Sequence, residues 1–353
     1  MFEIWYGIVA AMFAAYVVLD GFDFGAGVLH LIVARTDRER REVLAAIGPF
    51  WNGSEVWILA AGGALFVAFP RVLSSGLSGF YLPIFLVLWA IIGRGIALEF
   101  RSHVPNPIWR ASFDGVFSLS SALLPILLGA ALGNVLRGVP LDSEGWFSIP
   151  LFTDFTAEGA VGVLDWYTVL VGVFALVTLT AHGALFLAWK TREAVQSRSM
   201  LIGGRLYILV AALWPIMGLA TLRVNRDVFV RFAERPVVWA LTSLAFVGLA
   251  SAFWSLLRRK PLVAFMSSCL FLASLSGAIA TSFFPEMLHA VNTSAGSITA
   301  FNGGGDAMGL QTAMRWFGIG LPLAILYFVI VFRTHRGSAL PNPPASQPTE
   351  ERA

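Results

Sequence analysis

The sequence predicts an all-α polytopic membrane protein with about nine transmembrane helices. Its residues are 57% hydrophobic and only 13% charged, where a soluble domain carries roughly 25% charge. Mean hydropathy is +0.76. Apolar runs of about 20 residues, the length that crosses a bilayer, recur along the chain, and all of its Lys and Arg but Arg94, Arg205, Arg315 and Arg333 lie between them, the last three within four residues of a run's edge.

The runs fall at 5–33, 50–69, 80–100, 113–134, 163–189, 202–222, 237–257, 262–284 and 313–333. The chain enters the first of them directly from Met1-Phe-Glu-Ile-Trp5. It lacks a basic n-region, so a cleaved signal peptide is not expected. The second run opens Gly48-Pro49-Phe-Trp51-Asn52-Gly-Ser-Glu55-Val-Trp57. Pro49 suits a first helical turn, and the tryptophans suit an interfacial belt. The third run ends Arg94-Gly-Ile-Ala-Leu-Glu99-Phe-Arg101. Two long connections remain. Segment 135–162 is acidic (Asp142, Glu144, Asp154, Glu158), and segment 285–312 has no Lys or Arg and contains Asn302-Gly-Gly-Gly-Asp306. Loops of this length are either functional, packed on a partner, or surface cover. The tail 337–353 holds four prolines with Ser, Thr and Glu, a composition expected to be disordered.

Nine spans put the termini on opposite sides. The loop set beginning with Arg35, Arg38, Arg40 and Arg41 and ending in the C-terminal tail contains sixteen Lys and Arg, against seven on the other side. Basic loops stay in the cytoplasm. The N-terminus is therefore expected outside and the C-terminus inside. One loop disagrees: 223–236 places Arg223, Arg226, Arg231 and Arg235 on the outer side. Either the flanking spans are misread or this loop meets acids of a partner.

Asp20 and Asp23 are the only acids between Trp5 and Val33. Three residues apart, they share a helix face. Carboxyls at membrane depth are costly and usually serve ions or protons. Asn52 and Glu55 share a face in the same way, near the cytoplasmic end of the second run. Asp23 lies 12 residues before Arg35, about 18 Å of helix, and Asp20 about 22 Å. The expectation is a graded polar ladder from Asn52 and Glu55 inward to Asp23 and Asp20, suited to proton movement. Arg94 and Arg101 share a face while Glu99 points elsewhere. Arg94 either snorkels outward or neutralises an acid of the ladder or a partner's cofactor propionate. The competing readings are helix glue and a secondary transporter, although no matching pair of broken helices in two repeats is visible.

The remaining chemistry is sparse. Five histidines are scattered, and His182 alone in the fifth run reads as a buried, satisfied side chain. The single Cys269 excludes a disulfide within the chain and a thiolate metal site. No nucleotide, zinc or triad motif stands out, and nucleic-acid binding has no support from loop arginines. No metal site or catalytic residue is expected in this chain.

Several ordered segments resemble subunit II of the cytochrome bd quinol oxidases. They are Leu19-Asp-Gly-Phe-Asp-Phe-Gly-Ala-Gly27, Gly48 to Trp57, Gly62-Gly-Ala-Leu-Phe-Val-Ala-Phe-Pro70, Phe80-Tyr-Leu-Pro83, Arg94 to Arg101, and Gly133-Asn-Val-Leu-Arg-Gly-Val-Pro140. The resemblance is strong over 1–140 and continues to about 333. It implies two four-helix bundles (1–134 and 163–284) joined by the loop 135–162, then the loop 285–312 and a peripheral ninth helix at 313–336. It implies an accessory, haem-free subunit in a bacterial inner membrane. The partner would be a haem-bearing subunit I holding haems b and d, which oxidises quinol and reduces O2 to water. Small single-span subunits, and a quinone or lipid bound in this chain, remain open. The family usually has Trp-Asp-Gly-Asn where this chain has Trp51-Asn52-Gly53-Ser54. Asn52 cannot carry an acidic proton. Glu55 or the partner subunit would then take the uptake role, while Asp20, Asp23, Arg94, Glu99 and Arg101 match as they stand.

Overall fold

The structure is a computed structural model and describes residues 1–157, 159–291 and 296–339. Its helices are α1 (Phe2–Val33), α2 (Asp37–Ile47), α3 (Trp51–Ala68), α4 (Pro70–Gly79), α5 (Tyr81–Phe100), α6 (Pro107–Arg137), α7 (Trp166–Lys190), α8 (Glu193–Val224), α9 (Arg226–Glu234), α10 (Pro236–Leu257), α11 (Pro261–Phe283) and α12 (Ala307–Thr334). A small antiparallel hairpin, β1 (Glu286–Leu288) and β2 (Ile298–Thr299), precedes α12. Among the described residues, eight helices are long and apolar enough to cross a membrane, and the bent pair α3 and α4 brings the number to nine.

α3 coincides with the predicted second run, 50–69, and the bend lies at its end. α3 and α4 meet at 120°, with Pro70 starting the second helix. Proline cannot continue the ladder of the preceding turn. The connection to α3 is also deeper than expected. Phe50, the residue before α3, packs against Phe22 with ring centroids 6.0 Å apart. Phe22 lies 11 residues, about 16 Å, inside the end of α1. Pro49 thus precedes the helix, and Trp51 and Trp57 pack on Gly95 and Phe328 rather than forming a belt.

α1 is the hub. It packs against α3, α6, α7 and α11, while α7 also touches α6, α8 and α11. The α1–α7 crossing depends on two glycines. A Cβ on Gly25 would meet the Leu179 carbonyl and lie 2.7 Å from the Gly183 Cα, and one on Gly183 would meet the backbone of Gly25 and Ala26. Backbones this close exclude any side chain. The apolar core is centred on Phe22, Phe50, Phe186 and Phe265. α12, by contrast, buries almost nothing within the chain.

The two long loops pack on each other. Val139 donates to the His289 carbonyl at 2.8 Å, and Val291 returns a bond to Val139 at 3.1 Å. The arginine-rich 223–236 segment is mostly α9. Its Arg231 pairs with Glu286 of this same chain at 3.3 Å, and Arg235 donates to the Thr281 carbonyl. An internal acid thus meets Arg231, which needs no acid from a partner. Of the tail expected to be disordered, residues 340–353 lie outside the described residues; Ala339 donates to the Lys190 carbonyl at 2.8 Å.

Candidate functional site

Arg94 lies at the centre of the site. α5 carries it inward, fully buried, so it does not snorkel. Its Nη2 donates to Asp20 Oδ1 at 2.7 Å and to Glu55 Oε1 at 2.5 Å. The guanidinium also rests over the Phe24 ring, 4.6 Å from its centroid, an arrangement that stabilises a desolvated cation. α1, α3 and α5 are thereby joined by one charge. Asp23 is also buried and lies close enough to interact with Asp20 and Arg94. Neither of its carboxyl oxygens makes a hydrogen bond to the protein within normal limits. Ser54 is nearby, but its hydroxyl donates to the Phe50 carbonyl at 3.1 Å. Tyr16 lies beside Asp20. The Glu55 side chain keeps 19% exposure, on the side of α3 where Val56 and Leu59 are exposed.

A second cluster lies closer to α2. Asp114 of α6, 1% exposed, accepts from Arg101 Nε at 2.5 Å and from Arg40 at 2.9 Å, and its Oδ1 is 2.6 Å from His30 Nε2. Arg101 also donates to Asp37 at 2.9 Å, and Arg41 and Arg110 reach the same carboxylate. Glu39 ties α2 to α8 through Arg198 at 3.1 Å and caps its own helix with Thr36. Partial burial pushes the Glu39 carboxyl up, but the Arg35 amide and the Arg198 guanidinium overcome this and hold it below the usual range.

Of the residues singled out in the sequence, Asp20, Glu55 and Arg94 are in direct contact and Asp23 is adjacent. Asn52 and Glu99 are exposed and outside the cluster. Arg101 belongs to the second cluster. The graded ladder is also corrected. Because α3 starts deep, Glu55 shares one nitrogen of Arg94 with Asp20 and sits at the level of the innermost acid. Asp114 and His30 were missed as site residues. Asp114 carried the same signal as Asp20, a lone acid in an apolar run, but lay next to the run's edge. His182 has both ring nitrogens engaged, by Ser268 Oγ at 2.6 Å and the Val18 carbonyl at 3.0 Å. Among the described residues no group of three or more His, Cys, Asp or Glu is placed to hold a metal ion.

Comparison with known proteins gives concordant matches. The family model for cytochrome bd terminal oxidase subunit II matches residues 1–335. Cytochrome bd ubiquinol oxidase subunit 2 of Bacillus subtilis (strain 168) is 31% identical over 305 residues, covering 85% of each chain. Cytochrome bd-I ubiquinol oxidase subunit 2 of Escherichia coli (strain K12) is 28% identical over 351 residues, covering 92% of this chain and 91% of its own. The structure of bd oxidase from Geobacillus thermodenitrificans superposes with a TM-score of 0.74 at 17% identity, over 94% of this chain and 98% of that one. At that identity the superposition speaks for the fold alone.

Proposed function

From the premise that this chain belongs to the cytochrome bd terminal oxidase subunit II family, we propose that its Arg94 cluster conducts protons from the cytoplasm toward the oxygen-reducing partner subunit. The chain is an accessory, multi-pass membrane subunit of a cytochrome bd-type oxidase complex. Membership of the family implies association with a haem-bearing catalytic subunit. That complex oxidises quinol and reduces O2 to water.

One observation carries the proton reading. A single buried guanidinium holds two carboxyls, with a third adjacent. Were all three acids ionised, two negative charges would be left without a cation in a low-dielectric interior, which is costly. Such a cluster can bind and release a proton with little rearrangement. Asp23 is two turns inside His30 and accepts protons first in this reading. Asp20 and Glu55, which the permanently charged Arg94 holds within reach of each other, then exchange the proton between their carboxyls, and Glu55 presents it at the exposed edge of α3. The excess of Lys and Arg in one set of loops supports a cytoplasmic α2 side and an N-terminus outside. The resemblance further supports two bundles, 1–134 and 163–284, with α12 at the periphery. The exposed faces of α3, α5 and α12 would then receive the partner, which holds haems b and d. The open groove lined by Gly7, Ala11, Ala14 and Ala273, with Arg235 at its rim, suits a quinone or lipid tail. Extracts of the complex analysed by mass spectrometry should lose that molecule in Ala14→Trp.

The test is made in the assembled complex. Asp23→Asn and Glu55→Gln are expected to keep full haem content. Each should lower O2 reduction and charge build-up in proteoliposomes by about tenfold or more. Normal turnover and charge movement in both variants would end this reading. It would leave the second one, in which Arg94 only clamps α1, α3 and α5 together, a role that its contacts with all three helices also support.

A further inference from the structure

We propose that His30 is a proton-relay residue, feeding Asp23 along the α1–α6 interface from the cluster around Asp114. This rests on the proton-path reading above and supplies the uptake step that exposed Asn52, without an acidic proton, cannot.

Four buried polar atoms carry the inference. His30 Nδ1, Ser121 Oγ and both carboxyl oxygens of Asp23 make no hydrogen bond to the protein. All three residues are at most 1% exposed. Unpaired buried polar groups are rare and call for a reason. These lie on successive turns of one interface. α1 and α6 run antiparallel, with His30 against Asp114 at 2.6 Å and Ser118 Oγ donating to the Gly27 carbonyl at 2.8 Å. Ser121 is one turn further on and touches Gly27, where any Cβ would collide with its hydroxyl. Along α1, His30 to Gly27 is about 4.5 Å of rise and Gly27 to Asp23 about 6 Å. These rises put Asp23, Gly27 and His30 on one face of α1 within two turns, with Ser121 beside Gly27 between the two titratable groups. The apolar wall is Phe117, edge-on to His30 at 5.3 Å.

The charges around His30 suit a relay. It faces Asp114 on α6, Arg101 at the end of α5 and Arg40 on α2. Asp114 orients the ring through Nε2 and leaves Nδ1 turned from the cluster, while the arginines hold Asp114 in place. In the resting state Nε2–H is donated to ionised Asp114 and Nδ1 is free to accept. In one cycle the ring turns toward the Arg40 side and takes a proton at Nδ1, becoming an imidazolium whose charge Asp114 offsets; it then turns back and releases that proton from Nδ1 toward Ser121 and Asp23, regaining its neutral form. One proton has moved inward, and no electron has been transferred.

The test uses the assembled oxidase in proteoliposomes. His30→Gln keeps a hydrogen bond to Asp114 but cannot relay. It is expected to retain its haem spectrum and to lose about tenfold or more of turnover per haem. The residual turnover should acquire a solvent deuterium isotope effect, which a structural defect would not produce. Turnover near the parent in His30→Gln, with Asp23→Asn slow, overturns this inference and leaves the Arg94 path standing. Normal turnover in Asp23→Asn and Glu55→Gln overturns that path, and this inference with it. Should His30→Gln fail to assemble, Ser121→Val fills the interface without touching the ion cluster. The same loss and isotope effect are expected there, and normal turnover overturns the relay.

Discussion

Two buried charge clusters lie about two helical turns apart on α1, around Arg94 and around Asp114, and their charge balance is opposite. Around Arg94, one guanidinium serves Asp20, Glu55 and the adjacent Asp23. Around Asp114, the carboxylates of Asp114 and Asp37 are surrounded by Arg40, Arg41, Arg101, Arg110 and His30. A surplus of acids in a dry site leaves a proton to exchange, whereas a surplus of cations gives each carboxylate a charged partner. The first balance is suited to transport. The second locks α2, α5 and α6 onto α1 and places positive charge where the basic loops already gather. His30 touches the cation-rich cluster with one nitrogen, and its other nitrogen makes no bond within it.

The largest expected effect comes from removing the cation of the acid-rich cluster. Arg94→Leu leaves Asp20 and Glu55 buried against no charge, and breaking a buried pair in this way costs about 3–5 kcal/mol. Assembly should collapse, read as haem bound per complex. Replacing the acids as well, in Arg94→Leu/Asp20→Leu/Glu55→Leu, should restore assembly but not proton delivery, because an apolar trio of similar volume removes the uncompensated charge. Asp114→Ala should cost less, about 3 kcal/mol, since Arg40 is 28% exposed and can turn to water. The loss should show as a lower Tm of the complex and faster protease cleavage between α1 and α2. If Asp114→Ala proved the more damaging of the two, the assignment of locking to one cluster and exchange to the other would need to be revised.

How far the sequence alone reached follows the same division. Hydropathy located the spans because bilayer thickness fixes their length, and the Asp20/Asp23 pair was visible because an acid in an apolar run is rare. Contacts between helices were not visible. That Glu55 meets Asp20 depends on how deep α3 starts, and Phe50 packing on Phe22 sets that depth, a tertiary fact with no local signature. Asp114 was missed because a lone acid near a span edge looks like one that reaches water. The arginines of 223–236 appeared to contradict the topology until Glu286, fifty residues on, proved to be the partner of Arg231.

That pair makes a smaller, pH-dependent prediction on the opposite side of the molecule. Burial pushes the Glu286 carboxyl up, but hydrogen bonding by His289 and the charges of His289 and Arg231 overcome it and hold the group below its usual range. A carboxyl with a depressed folded pKa contributes stability above its unfolded value, and loses it as the pH falls through the folded one. Protection of the 286–290 amides against hydrogen exchange should therefore fall only below about pH 4. Glu286→Gln should exchange faster at neutral pH and show no such acid step. An acid step retained in Glu286→Gln would assign the latch to another group. The Arg94 cluster should show no coupled change, because the two sites lie on opposite sides of the chain.

The smallest effect is expected at Asn52. An exposed residue outside both clusters should influence neither stability nor exchange. Asn52→Asp adds an acid on the face of α3 that also carries Glu55, yet Glu55 already reaches Asp20 through Arg94. If protons arrive by way of His30, the added acid is redundant, and turnover per haem should stay within about twofold of the parent. The informative experiment places Asn52→Asp in the His30→Gln background. There the new carboxyl should restore turnover, since it opens a second doorway to the same acid-rich cluster. Restoration would show that the two routes converge on Arg94. A gain of tenfold from Asn52→Asp in the parent complex would instead mean that α3 is the working entrance and that the His30 column contributes little.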